Sequence, residues 1–87
     1  MSKQIVLFVP DVDEFRPVVE SAKSSGDGSV RVDMAEGYNV IRSNKPLQFL
    51  RKALGVKPPI WYGIPTGGLV GKITQFDRDT LVIEPVE

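Results

Sequence analysis

The chain has 87 residues, 41% hydrophobic and 25% charged; eleven Lys and Arg balance eleven Asp and Glu, and there is neither Cys nor His. That length supports one core, residues 1–87 as a single domain, because a second core could not bury enough apolar surface to offset the entropy of ordering its chain. Without Cys and His, thiolate nucleophiles, iron–sulfur and zinc ligation, imidazole acid–base work and every Ser-His or Cys-His triad are excluded, and no cofactor is expected.

Residues 4–9 are apolar on both faces and rich in β-branched side chains, which predicts a central, doubly covered strand. The apolar run at 5–10 is too short to span a bilayer, and residues 1–3 lead into it without a signal-peptide pattern, so the expected location is cytoplasmic. Asp11, Asp13 and Glu14 lack the central Gly and distal Glu of a calcium loop, and no metal site is expected there. Asp13 is the predicted cap of a helix with Phe15, Val18, Val19 and Ala22 on its inward stripe and Pro17 in its first turn; residues 24–28 stop it.

Val30, Val32 and Met34 alternate with Arg31 and Asp33, and Ala35-Glu36-Gly37 turns the chain into a second strand at 38–42, a predicted hairpin. Asn44 then predicts the cap of a second helix, with Pro46 in the first turn, Leu47, Leu50 and Leu54 on one stripe, Gln48, Arg51 and Lys52 facing water, and Gly55 as the stop. Pro58-Pro59 opens an irregular stretch over 60–68, within which 60–62 is open to a further short strand. Strands at 69–76 and 80–83, joined through Asp77-Arg78-Asp79, end the pattern. The expected architecture is α+β, a compact two-layer sandwich in the order β-α-β-β-α-β-β with mainly antiparallel strands.

Zero net charge hides an asymmetry. Residues 1–37 carry seven carboxylates against four cations, whereas 38–76 carry Arg42, Lys45, Arg51, Lys52, Lys57 and Lys72 and no carboxylate. With Tyr38, Trp61 and Tyr62 interspersed, these cations suit a surface for single-stranded nucleic acid, a rim for docking on an acidic protein, or simply a solvated face; their spacing matches no usual nucleic-acid module. The glycines from Thr66 to Lys72 fail the phosphate-loop pattern, since Thr66 replaces its first Gly and Ile73 its Ser/Thr, so they read as places where a strand bends or another backbone approaches. Trp61 and Tyr62, between prolines, allow two readings: Trp61 roofs the core, or one of the adjacent rings, which point to opposite sides of an extended segment, anchors an interface. A small enzyme using Asp33 or Glu36 as base and Tyr38 as acid is a third reading.

The run Val30-Arg31-Val32-Asp33-Met34-Ala35-Glu36-Gly37, then Val40-Ile41-Arg42, Leu50 and Leu54-Gly55, resembles the middle of the effector proteins of bacterial multicomponent di-iron monooxygenases, the methane monooxygenase component B and phenol or toluene hydroxylase regulatory type. Phe15-Arg16-Pro17-Val18-Val19-Glu20-Ser21-Ala22 resembles that family's first helix, and Leu69-Val70-Gly71-Lys72-Ile73 with Asp77-Arg78-Asp79 its last hairpin, so residues 5–84 are covered. The chain departs from the family in a shorter link at 24–29 and in the Pro and Gly content of 60–68, and is expected to lack a tail before the first strand. The resemblance implies a cofactorless, non-catalytic subunit that docks on a di-iron hydroxylase and tunes substrate access and the coupling of oxygen activation. Its expected partner face comprises Arg42, Asn44, Lys45, Gln48, Arg51, Lys52, Trp61, Tyr62, Thr66 and Lys72, with neither membrane nor nucleic acid as a partner.

Overall fold

A computed structural model describes residues 4–24 and 30–86. Strand β1, Ile5–Pro10, lies inside an antiparallel sheet of order β2-β3-β1-β5, with β2 at Val30–Ala35, β3 at Tyr38–Ser43 and β5 at Leu69–Val70. The doubly apolar sequence of β1 explains that place. Ile5, Leu7 and Val9 are fully buried on one face, each contributing on the order of 1.5–3 kcal/mol, while Val6 and Phe8 are half-buried on the other. The β2–β3 hairpin turns through Glu36 and Gly37, both at positive φ, as a two-residue turn matching strand twist requires.

A second antiparallel sheet has the order β4-β7-β6, with β4 at Leu47–Leu50, β6 at Lys72–Phe76 and β7 at Thr80–Glu84. Helix α1, Arg16–Ser24, packs on β2, β3 and β4 through Val18, Val19 and Ala22, as its stripe predicts. The core joins these residues to Ile41, Leu47, Phe49, Trp61, Ile64, Leu81 and Ile83, so both sheets contribute to one apolar cluster. The α+β, mainly antiparallel architecture is as expected.

Three local expectations are overturned. Asp13 does not cap α1: it opens a 3-10 turn, Asp13–Phe15, and its carboxylate accepts from Arg16 Nη2 at 3.1 Å instead of from a backbone N–H. The predicted second helix is mostly strand. Leu47 and Phe49 point inward and Gln48 and Leu50 outward on β4, whose backbone pairs with β7 from Leu47↔Ile83 to Leu50↔Thr80; only Arg51–Leu54 is helical, α2, ended by Gly55 at φ 69°. Asn44 is likewise no cap, because buried Ser43 takes over the turn, its Oγ donating to the Lys45 carbonyl at 2.7 Å and accepting from the Lys45 N–H at 3.1 Å.

The third correction is Pro58–Gly63, which is neither irregular nor a strand but a short helix, α3, continued by a 3-10 turn at Ile64–Gly67. Pro58 and Pro59 occupy its first turn, where backbone N–H groups have no intrahelical acceptor, so the prolines start the helix without cost. The expected stop of α1 lies mainly outside the described residues.

The glycines act as backbone devices, as expected. A Cβ on Gly67 would lie 2.5 Å from the Phe8 carbonyl oxygen, so only glycine lets this turn lie against β1. At Gly71, φ 151°, the last long run breaks: Leu69–Val70 pairs with β1 in the first sheet, and Lys72–Phe76 with β7 in the second.

Candidate docking surface

The turn between β6 and β7 organises the region to which sequence reasoning points. Asp77 shapes it locally, its Oδ1 accepting from the N–H groups of Asp79 and Thr80, both at 2.9 Å, and its Oδ2 from Gln75 Nε2 at 3.0 Å. The Gln75 amide first, then those two backbone donors, hold the Asp77 carboxyl below the usual carboxylate range. Two side chains from other elements bind the same turn. Arg51 Nε donates to the Arg78 carbonyl at 2.8 Å with its Nη2 3.8 Å from Asp79 Oδ1, and Trp61 Nε1 donates to the Asp77 carbonyl at 2.8 Å.

Phe76 completes the cluster, with ring centroids 5.9 Å from Trp61 and 5.6 Å from Tyr62. Trp61 is fully buried and Tyr62 is 50% exposed, so the adjacent rings divide between core and surface. The helix produces the division, successive residues being turned by about 100°.

Arg51, Lys52, Trp61 and Tyr62 are thus associated with α2, α3 and this turn, but the other expected positions do not all join them. Asn44 and Lys45 are exposed between β3 and β4, and Gln48 lies on the outward face of β4 opposite Val82. Arg42 is on the first sheet, opposite Arg31 and Val6, with Nε 3.7 Å from Asp33 Oδ2. Thr66 donates its hydroxyl to the Gly63 carbonyl at 2.7 Å, and Lys72 faces Glu84 across β6 and β7. Carboxylates flanking the basic stretch in sequence therefore meet its cations in the fold, and the six cations do not form one unbroken face. Arg51 is not a free rim charge, as its sequence position suggested, but a brace for the turn.

Phe76 and Asp77 were missed as organising residues. The signal for Asp77 was present, an Asp followed by a polar turn between two strands; that for Phe76 was not, because its contacts come from α3. The residues of the acid–base reading do not converge on a cavity either. Asp33 pairs with Arg42, Glu36 is exposed in the hairpin turn, and the Tyr38 ring packs edge-on to Phe8 at 6.3 Å. A cleft of about 140 Å³ beside α1 is lined instead by Asp11, Val12, Arg16, Val19, Glu20 and Asn39, and a wider one of about 520 Å³ on the same helix by Pro17, Glu20, Ser21, Ser24, Ala53 and Leu54. Among the described residues no group of three carboxylates could hold a metal ion, and no helix is long and apolar enough to cross a membrane.

The chain matches no protein-family profile and no curated protein sequence. Among solved structures it is similar to a chain in the phenol hydroxylase–regulatory protein complex, with a TM-score of 0.69 and 15% identity, over 94% of this chain and 98% of that one. The likeness is one of fold, spanning both sheets and extending over nearly the whole of each chain.

Proposed function

We propose that this chain is a cofactorless regulatory subunit that docks on the di-iron hydroxylase of a multicomponent monooxygenase. The observation that carries the reading is the shared fold with a chain of nearly equal length from a hydroxylase–regulatory protein complex. Residue patterns at the first helix, the 30–42 hairpin and the last hairpin support it independently. The subunit works in the cytoplasm, in the oxidation of aromatic or alkane hydrocarbons, and contributes no reacting group. By binding one state of the hydroxylase more tightly than another it shifts their populations by that difference in affinity, which regulates substrate access and couples reductant use to product.

The docking surface we propose centres on exposed Tyr62, held against Phe76, with Arg51 and Trp61 bracing the turn beside it and Lys52 on the same short helix as Arg51. Arg42, Asn44, Lys45, Gln48, Thr66 and Lys72 lie on other elements and form its outlying positions. A rigid aromatic with a polar rim suits this task, because aromatic anchors hold a complex while surrounding charge steers its formation.

The test is capture of partners from the native host at low salt, followed by turnover with the captured oxygenase and its reductase. Di-iron hydroxylase subunits should be retained, and product formed per reductant consumed should rise when the protein is added. Absence of any hydroxylase from the captured material, together with unchanged turnover, would refute the reading.

A further inference from the structure

We infer that this chain self-associates through β2, whose outer edge pairs antiparallel with the same strand of a second copy about a two-fold axis through Val32. The β2 strand is an edge of the first sheet, six residues long and in unbroken register with β3 from Val30↔Ser43 to Ala35↔Tyr38. Among the described residues no strand pairs with its other side, so a row of backbone donors and acceptors stands available for strand addition.

The remaining edges are blunted. The β5 strand has two residues, β4 has four and follows Pro46, and β6 is interrupted by a register shift between Ile73 and Gln75. Among the described residues only β2 offers a long regular edge, and it contains neither Pro nor Lys.

The side chains choose both the partner and the register. In an antiparallel pair related by a two-fold axis one residue must face its own copy, because directly opposed residues share a face. Centring on Arg31 opposes two arginines and centring on Asp33 opposes two aspartates. Centring on Val32 sets Arg31 opposite Asp33 of the partner subunit, twice by symmetry, and Val30 opposite Met34 of the partner subunit. Unlike charges are favoured at opposed positions and like charges disfavoured. In the monomer Arg31 faces Arg42 on β3, a like-charge neighbour; Asp33 lies 3.7 Å from the Arg42 guanidinium but keeps its side chain 62% exposed for a second cation; and Met34 is 65% exposed on a strand whose Val30 and Val32 pack on the core. The paired assembly has one continuous sheet of eight strands, twice the four of the monomer.

The two charges give a test that separates pairing from misfolding. Wild-type protein should sediment as a reversible, concentration-dependent monomer–dimer system, with backbone N–H groups of β2 gaining protection from hydrogen exchange as concentration rises. Arg31→Asp and Asp33→Arg should each weaken dimerisation about tenfold or more, since each sets like charges opposite at both positions. Mixing the two variants in equal amounts restores unlike charges at both positions, and native mass spectrometry should find the heterodimer in preference to either homodimer. A wild-type protein that stays monomeric, a dimer insensitive to both substitutions, or a mixture that shows no preference for the heterodimer would overturn the inference. If either variant fails to fold by circular dichroism, the wild-type exchange measurement decides: concentration-independent exchange across residues 30–35 overturns it equally.

Discussion

The indole N–H of Trp61 donates to the main-chain carbonyl of Asp77 at 2.8 Å, tying the buried face of α3 to the turn between β6 and β7. One side chain thereby fills the core and satisfies a carbonyl of the turn, and its neighbour Tyr62 is positioned against Phe76 as a result. Trp61→Phe should keep most of the packing but leave that carbonyl without its donor, lowering stability by about 1–3 kcal/mol, whereas Trp61→Ala should cost about 3–5 kcal/mol. Urea titration monitored by circular dichroism measures both. An unchanged midpoint for Trp61→Phe would show that the bond contributes nothing.

The strand at β4 makes a prediction opposite to that of a helix with a leucine stripe. Phe49 is 1% exposed and Leu50 is 47% exposed. Phe49→Ala should therefore destabilise the fold by about 3–5 kcal/mol, while Leu50→Ala should stay within about 0.5 kcal/mol of wild type. Chemical denaturation of the two variants distinguishes the structures, a larger loss at Leu50 favouring the helix.

Gly67→Ala should destabilise by about 1–3 kcal/mol even though it adds a single methyl group, because the added carbon meets the Phe8 carbonyl, part of the central strand, at 2.5 Å. A thermal melt is sufficient to see it. Wild-type behaviour would mean that the 3-10 turn can move off β1 freely.

The Asp77 carboxylate links the same turn to pH. Its folded-state pKa is lowered, by the Gln75 side chain first and then by the N–H groups of Asp79 and Thr80, so its stabilisation is present above the unfolded-state carboxylate pKa and is lost as pH falls through the folded-state value. The stability difference between wild type and Asp77→Ala should be largest near neutrality and shrink through the acid range. Denaturant midpoints of both proteins, compared from neutral to strongly acidic pH, show the convergence or its absence.

At the proposed docking surface, Tyr62→Ala should chiefly speed dissociation from the proposed hydroxylase partner, and Lys52→Glu should chiefly slow association and reduce its salt dependence. Arg51→Glu is a different experiment, because it removes the guanidinium bond to the Arg78 carbonyl and should lower stability before it affects binding. Surface plasmon resonance on folded variants resolves the rates. Parent-like kinetics for both Tyr62→Ala and Lys52→Glu would remove this face from the interface.

Sequence reasoning identified the elements whose patterns are local. The alternation of Val30, Val32 and Met34 and the stripe Phe15, Val18, Val19 and Ala22 each fit one template, and the fold follows both in element type, with Phe15 placed in the 3-10 turn ahead of α1 and Met34 left exposed. Between residues 44 and 68 two templates compete. Leu47, Leu50 and Leu54 fit a helix, Leu47 and Phe49 fit a strand, and the decision rests with β7, thirty or more residues away, which supplies the pairing partner. Trp61 and Tyr62 illustrate the same limit: their division between core and surface was expected, but the helix that achieves it was not, because two prolines look like breakers unless they start the element. At the candidate surface the aromatic pair was legible, whereas the bracing role of Arg51 depends on a carbonyl 27 positions along the chain.

The crossing at Gly71 also bears on the order in which the protein assembles. Leu69–Val70 completes the sheet begun by Ile5–Pro10, and Lys72–Phe76 begins the pairing with β7, so the first sheet closes only with a segment more than sixty residues downstream of its central strand. Contacts this distant carry a loop-closure cost before they stabilise anything. Refolding should accordingly be limited by docking of the last third of the chain, with the 30–43 hairpin forming early and waiting for it, and a substitution at Gly71 should slow the closing step of both sheets at once.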